Sequence, residues 1–398
     1  MMQSDVLIAG AGPVGLSAAL VLASAGIRVR IFEAEQELWV DPRASTFHPP
    51  TLDMLDAYGV GEVLVRSGVV CPDWQVRWHP SGERAVFDLS VLKNDTAHPY
   101  RLQCDQTVLS HALLDRLVRI PEVTVEFGAP VKAVMQDASS ASLVLDRGGR
   151  EETVTGSWII GADGSHSAVR KSLGLGFEGS SYPEISIIVT VQFPFEDHLE
   201  GLSGVNYCWR EGSNFSLLKV QDHWRVSLYP LPDKTIEEQL TSGSIEAALQ
   251  HIVPQPRPYE VLAQRAYRAH RRMASSWRVG RIFLAGDAAH LTSPTGGMGL
   301  NGGVHDAFNL AEKLAAVIGR GEPDTLLDRY ERQRRPVVEE AIIAQSDANR
   351  ARMRELDTEK RRESLRGLQQ ICADRDRLYK HMLNSSMIAG LRQAARLA

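Results

Sequence analysis

Residues Asp5 to Glu33, DVLIAGAGPVGLSAALVLASAGIRVRIFE, constrain the fold more than any other stretch of this chain. Asp5 to Ala9 is a short apolar run, and Gly10, Gly12 and Gly15 supply G-x-G-x-x-G where that strand would hand over to a helix. Gly10 permits the tight turn, Gly12 lets a pyrophosphate approach the backbone, and Gly15 lets helix and strand pack closely. The helix is expected over Val14 to Ala25, with Leu16, Ala19, Leu20 and Ala23 on one face and Gly26 as its stop. Its first N–H groups lack partners and sit at the positive end of the helix dipole, so they suit phosphates. Arg28 to Phe32 reads as a second strand ending at Glu33, about 20 residues past the glycines, where a carboxylate can accept hydrogen bonds from a ribose diol. Glycines alone are a weak sign, because they also end helices for structural reasons. Strand, helix, strand and acid in register indicate adenine-dinucleotide binding, with Pro13, Val14 and Ala34 in the same turns.

A chain of 398 residues with 43% hydrophobic content buries a substantial core and, by length, holds about two domains. A formal net charge of -5 argues against a nucleic-acid binder. No apolar run is long enough to span a bilayer, and the N-terminus enters the first strand without a signal-peptide pattern, so a cytoplasmic protein with no membrane partner is expected. Cys71, Cys104, Cys208 and Cys372 are scattered, without the C-x-x-C pair a disulfide reductase needs, and read as reduced structural thiols. The histidines form no H-x-x-x-H or H-E-x-x-H pair, so no metal site is argued.

After Glu33, Pro42, Pro49 and Pro50 keep the chain extended, and Thr51 reads as the N-cap of a short helix through Tyr58. Arg43 in this loop either binds a phosphate or is solvated. Trp74 to Leu92 reads as a hairpin turning at Pro80, Ser81 and Gly82, and Thr107 to Arg119 as a helix. Strands Val123 to Phe127, Val131 to Gln136 and Ala141 to Leu145 are expected as a meander over one face of the parallel sheet. Trp158 to Ile160 is a strand running into Gly161-Ala162-Asp163-Gly164, which puts Asp163 at a strand's carboxyl end, where open α/β sheets bind ligands; it is equally an ordinary Asp-Gly turn. From about Gly176 to Ala269 the segments are aromatic and alternating, as in an antiparallel sheet, broken by a helix over Thr235 to Ile252 that is interrupted near Ser242-Gly243. Arg281 to Ala285 resumes the buried-strand pattern and ends at Gly286-Asp287. Pro294 and Gly296, Gly297 and Gly299 form a loop before a helix from Leu300 to Ile318. The charged helices beyond Pro336, with Leu365, Leu368, Ile371, Leu378 and Met382, read as a solvated surface pair or a dimer contact.

Three motifs thus stand in one order: GAGPVG with Glu33, GADGSHSAVR at Gly161 to Arg170, and GDAAHLTSPTGGMGLNGGVHDAFNL at Gly286 to Leu310. Together they resemble the single-component (class A) FAD-dependent aromatic hydroxylases of the p-hydroxybenzoate hydroxylase fold, over about residues 1 to 345. The resemblance implies an α/β architecture: a Rossmann-like FAD-binding domain over 1–71, 99–175 and 270–345, an inserted antiparallel β-sheet substrate domain over 72–98 and 176–269, and C-terminal helices over 346–398. By the same resemblance Gly10, Gly12, Gly15 and Glu33 bind the ADP half of FAD, Arg43 lies near its pyrophosphate, and Gln103 contacts the ribityl chain. Asp163 and Gly164 belong to the DG motif linked to FAD and NAD(P)H, and Gly286 and Asp287 form the GD motif at the ribityl hydroxyls. The backbone from Pro294 through Gly296, Gly297, Gly299 and Leu300 to Asn301 wraps the isoalloxazine.

The implied reaction uses resident FAD, NADH or NADPH as a transient reductant and O2 as co-substrate to hydroxylate an electron-rich aromatic through a C4a-hydroperoxyflavin. No catalytic base transfers from the family. His48, Tyr207, Arg225 and Tyr229 are possible pocket residues, but packing or surface position is the stronger reading of each, so none is assigned to the site. GLNGGVHDAFNL is similar to the phenol and polyketide hydroxylase branch, although the chain is too short for that branch's thioredoxin-like domain, and Met298 stands where glutamine is common. The rivals are a halogenase, whose W-x-W-x-I-P stretch is missing, an epoxidase or dehydrogenase on the same fold, and a non-catalytic FAD-binding module. Monomer and homodimer both remain open.

Overall fold

A computed structural model describes residues 5–38, 44–229 and 235–397. The first five elements arise as the residue pattern requires. Strand β1 (Asp5–Ala9) has Val6, Leu7, Ile8 and Ala9 all fully buried, the continuous apolar run of a parallel strand covered on both faces. Helix α1 (Pro13–Ser24) follows, then β2 (Arg28–Phe32), β3 (Val123–Glu126) and β4 (Trp158–Gly161). With β5 (Ile282–Leu284) and the short edge strand Arg278–Val279, these form a six-stranded sheet in the order 278–279, β5, β4, β1, β2, β3. The neighbours from β5 to β3 are parallel, and only the edge strand runs antiparallel. From β1 the chain moves outward to β2 and β3 on one side and later fills β4 and β5 on the other. The β1–β4 boundary is therefore the switch point at which open α/β sheets leave a crevice beyond the strands' carboxyl ends.

Two expectations about this layer are corrected. Helix α1 is buried all round from Gly15 to Ala23, because helix α2 (Met298–Arg320) and the helix Gln106–Leu117 cover the sides the sheet does not. The expected meander divides: β3 joins the parallel sheet, and Val131–Gln136, Ala141–Arg147 and Arg150–Gly156 form a separate three-stranded antiparallel sheet.

The β-rich segments build an eight-stranded sheet in the order 290–291, 260–274, 177–192, 223–228, 213–220, 205–210, 73–78, 84–88. The Trp74 hairpin joins it through a parallel contact, Asn206 beside Gln75 to Trp209 beside Trp78, and the other pairings are antiparallel. Gln75 and Asn206, both fully buried, seal that junction: Gln75 Nε2 donates to Asn206 Oδ1 at 2.7 Å.

The C-terminal segment is not a solvated pair. Helices Ala344–Arg354, Thr358–Ala373, Arg375–Ser385 and Ile388–Arg396 follow Asp328–Val337 and a wide turn over Val338–Ile343. Leu365, Leu368, Leu378 and Met382 are buried against Trp74, Trp78 and Phe87 of the eight-stranded sheet. At roughly 1.5–3 kcal/mol for each buried side chain, this face belongs to the core. Arg361, fully buried, donates from Nη1 to the carbonyls of Arg210 at 2.6 Å and Ser213 at 2.8 Å, locking the tail to the sheet.

Candidate functional site

The three sequence motifs converge at the carboxyl ends of adjacent strands: Gly10 after β1, Asp163 after β4 and Gly286 after β5. Backbone bonds stitch these ends together, Ala162 N to Ala9 O at 2.9 Å and Ala285 N to Gly161 O at 3.0 Å. Gly10 has φ +100°, and a Cβ there would lie 2.5 Å from the Ala162 carbonyl oxygen. Gly15 is fixed by a different contact, since a Cβ would collide with the Gly10 carbonyl. At Gly12 a Cβ would meet nothing within 4 Å, so this residue faces open space beside the α1 N-terminus. Pro13 occupies N1 of α1, and Val14 packs against Gly286 and Gly303.

Glu33 closes the turn. Its Oε2 accepts from Ala11 N at 2.6 Å and its Oε1 from Glu35 N at 3.1 Å, which aims the carboxylate at the glycine turn, while Ala34 is exposed. Asp163 Oδ2 accepts from Val169 N at 3.1 Å, but Oδ1 is buried with no hydrogen-bond partner. Burial pushes the Asp163 carboxyl above its usual range. Beside Gly164 lies more open space, again nothing within 4 Å of an added Cβ. Asp287 is exposed in the tight turn Gly286–Ala288. Arg43 lies outside the described residues.

The glycine loop before α2 is held from three directions. Gly297, the α2 N-cap, has φ +67° and sits against Thr46. Asn301, fully buried, donates from Nδ2 to Thr46 O at 2.8 Å and Gly297 O at 2.6 Å and accepts at Oδ1 from His48 N at 2.9 Å. Gln103 Nε2 donates to the Thr46 hydroxyl at 3.0 Å, so Gln103 is fully buried behind the same short strand. His48 Nε2 lies 2.9 Å from Gly296 O. Burial, then the Arg101 charge, pulls His48 down to about 3, so it is neutral and donates that bond. His48 is also the N-cap of Pro49–Asp56, with Pro49 at N1, and Thr51 lies inside the helix instead of capping it. Pro294 is exposed and Gly299 and Leu300 are half-buried on the first turn of α2. Neither α1 nor α2 has a side-chain cap, so the N–H groups of both first turns have no capping side-chain acceptor.

Asp306 is the residue that pattern reading missed. It is fully buried on α2; Oδ2 accepts from His290 Nε2 at 2.6 Å and from Gly286 N at 3.3 Å, and Oδ1 from Arg334 Nε at 2.7 Å. Burial opposes its ionisation, but His290 and Arg334 outweigh it and hold the carboxyl below its usual range. Its place in GGVHDAFNL, an acid among small and apolar helix residues, was the available signal.

A second space lies between the glycine loop, the eight-stranded sheet and the C-terminal helices. This narrow cavity is lined by Trp74, Val76, Arg101, Tyr207 and Thr295 and by Gln345, Asn349, Arg352, Met353, His381 and Ser385 of the tail. Of the four pocket candidates only Tyr207 lines it. Arg225 is ion-paired with Asp105, His48 lies behind the loop, and the Tyr229 hydroxyl is pushed up to about 12 by burial. Burial likewise pushes the Cys71, Cys104 and Cys208 thiols up to about 12, which leaves them un-ionised at neutral pH.

A parallel sheet with the uncapped α1 N-terminus at its switch point, and a second, antiparallel sheet beside it, is the arrangement the resemblance to FAD-dependent aromatic hydroxylases implies. Sequence comparison agrees, since the family model for the FAD binding domain matches residues 3–345. The chain belongs to the class A FAD-dependent aromatic hydroxylases and is a flavoprotein aromatic monooxygenase. It is 36% identical to 6-hydroxy-3-succinoylpyridine 3-monooxygenase of Pseudomonas putida, over 87% of this chain and 88% of that protein. It is 35% identical to para-nitrophenol 4-monooxygenase of a Pseudomonas species, over 89% of both. The crystal structure of p-nitrophenol 4-monooxygenase from Pseudomonas putida superposes with a TM-score of 0.89 at 32% identity, covering 97% of each chain. No described helix is long and apolar enough to cross a membrane.

Proposed function

We propose that this monooxygenase hydroxylates a small single-ring phenol or hydroxypyridine, with NADH or NADPH as a visiting reductant. The overall balance is NAD(P)H, a proton, O2 and the arene giving NAD(P)+, water and the hydroxylated arene. FAD, when bound, supplies the two-electron chemistry and the activation of O2. The fit to FAD rests on this chain's own groups: the open face of Gly12, the α1 and α2 N–H groups, the Glu33 carboxylate and the unpartnered Asp163 Oδ1. In this reading Gly10, Gly12, Pro13, Val14, Gly15, Glu33 and Ala34 hold the ADP half, and Gln103, Asp163, Gly164, Gly286 and Asp287 frame the middle of the cofactor. The loop Pro294, Gly296, Gly297, Gly299, Leu300 and Asn301 borders its reactive ring. The α2 N-terminus favours negative charge next to it, a contribution fixed before any substrate arrives.

The observation that carries the substrate reading is the cavity against Thr295, on the same loop, walled by Trp74 and Tyr207 and closed by the tail helices. Aromatic walls orient a flat ring, and the buried tail excludes water from the site of oxygen transfer. The two similar proteins named for single-ring substrates, a nitrophenol and a hydroxypyridine, support the same size class. A panel of phenols, anilines and hydroxypyridines tests it: the expected result is stimulation of NAD(P)H oxidation by a single-ring hydroxyarene, with a hydroxylated product. If no aromatic stimulates NAD(P)H consumption by the FAD-loaded protein, the reading fails.

A further inference from the structure

The glycine loop before α2 is held from one side by His48 and Asn301, and the tail helix Ala344–Arg354 grips it at Thr292 and at Gly296. Ser346, fully buried, donates its hydroxyl proton to Ile343 O at 3.0 Å, so the Thr292 hydroxyl is the donor in the 2.6 Å contact with Ser346 Oγ. Asn349 lies over Gly296: that glycine has φ +109°, and a Cβ there would sit 2.9 Å from Asn349 Nδ2. The other end of the amide fixes its orientation. Oδ1 accepts from Gln345 Nε2 at 3.0 Å and from Arg352 Nη1 at 3.4 Å, which turns the NH2 group to the loop. The wide turn Val338–Ile343 sets this meeting, since one residue inserted in a helix rotates everything after it by about 100°.

Gln345, Asn349, Arg352 and Met353 stand at i, i+4, i+7 and i+8, on one face of this helix, and that face also lines the cavity together with Thr295 of the loop. Asn349 therefore borders the ring space and the loop at once. The cavity is narrow, so a ring in it takes up the space open to the side chains around it. For Asn349 the remaining place is the one over Gly296. A ligand shifts an equilibrium only through contacts that differ between two states, and the hold of Asn349 on the loop is such a contact. Resting on the hydroxylase reading above, we propose that Asn349 is a positioning residue through which ring occupancy steadies the glycine loop. A ring confines the amide over Gly296 and, with the Thr292–Ser346 bond, fixes Thr295 to Gly297. When that hold is lost, NAD(P)H, a proton and O2 give NAD(P)+ and hydrogen peroxide in place of the hydroxylated ring.

The test follows hydrogen–deuterium exchange of the FAD-loaded full chain, with and without saturating 4-nitrophenol or 2-hydroxypyridine. In the wild type the amides of Thr295 to Gly297 are expected to exchange roughly fivefold more slowly with the ring bound, the change that one added hydrogen bond gives. Asn349→Ala is expected to lose this ring-dependent slowing and, at saturating ring, to send a larger share of NAD(P)H oxidation to hydrogen peroxide. Asn349→Ser, the milder truncation, takes its place if Asn349→Ala does not retain FAD. Ser346→Ala removes the grip at Thr292 instead, so exchange should rise equally with and without the ring while the ring-dependent step stays. Slowing that survives in Asn349→Ala would come from direct contact of the ring with Thr295 and overturns the proposal. A wild-type loop that exchanges alike with and without a bound ring overturns it too. If rings bind and are hydroxylated under either of those results, this inference falls and the hydroxylase reading stands; if neither ring binds or stimulates NAD(P)H oxidation, both fall.

Discussion

Replacing Asp306 by Asn keeps the side-chain shape and removes one buried charge. Arg334, 1% exposed, then loses the carboxylate it meets at 2.7 Å, and its Nη1 has no partner to compensate. Breaking one side of a buried pair in this way costs about 3–5 kcal/mol, a large share of a folding free energy on the order of 5–15 kcal/mol. The loss has a local reading as well, because Asp306 Oδ2 also accepts from Gly286 N in the turn before Asp287. Urea unfolding should place Asp306→Asn about 3–5 kcal/mol below the wild type, with less FAD retained on gel filtration. The double variant Asp306→Leu with Arg334→Met removes both charges and should recover much of the deficit, since a buried pair exchanged for apolar groups is often neutral. A single variant within about 0.5 kcal/mol of the wild type, or a double variant no better than the single, would refute the view that this pair is strongly coupled.

Three further outcomes follow from the geometry. Gly12→Val should fold normally, because an added Cβ meets nothing within 4 Å and the extended backbone there suits a residue before proline, yet it should purify with little FAD; Gly15→Ala, whose Cβ collides with the Gly10 carbonyl, should instead lower the stability of the apoprotein. Asn301→Ala deletes three hydrogen bonds around the glycine loop; about 1–3 kcal/mol of stability should go, and a larger share of NAD(P)H oxidation should end as hydrogen peroxide, measured with a peroxidase-coupled assay. His48 is neutral in the folded state down to about pH 3 but protonates near 6.5 when unfolded, so it contributes stability above pH 6.5 that is lost as the pH falls toward 3. Substituting His48→Gln should flatten the pH dependence of unfolding free energy over that window by up to about 1.4 kcal/mol per pH unit, and an unchanged slope would contradict the assignment.

What the sequence disclosed follows a physical line. The glycine turn with Glu33 was legible because close backbone approach admits only glycine at Gly10 and Gly15, so the constraint is written into residue type. The strands ending at Gly161 and Leu284 were legible for a related reason, being short apolar runs that stop at a turn. Asp306 was less visible, since an ion buried in a helix looks like a surface residue until its partners His290 and Arg334, distant in sequence, are seen beside it. The tail misled through its charge: Thr358–Ala373 carries polar residues on most of its surface, and only the alignment of Leu365 and Leu368 against Trp74 and Phe87 makes it core. The cavity was hidden for the same reason, because Trp74, Arg101, Tyr207, Thr295 and Arg352 come from five separate segments and no local pattern joins them. Thr51 was read as a cap on residue type alone, where Pro49 at N1 already fixed the helix start three residues behind it, at His48.

The central claim, that this chain inserts oxygen into an aromatic ring, is tested most directly with isotopic oxygen. The FAD-loaded protein is supplied with NAD(P)H, the best ring from the panel and 18O2, and the product is weighed by mass spectrometry. The account predicts one 18O atom in each new hydroxyl group, with product formed in step with NAD(P)H consumed. A product carrying oxygen from water, or NAD(P)H consumption that yields only hydrogen peroxide with every ring tried, would contradict it.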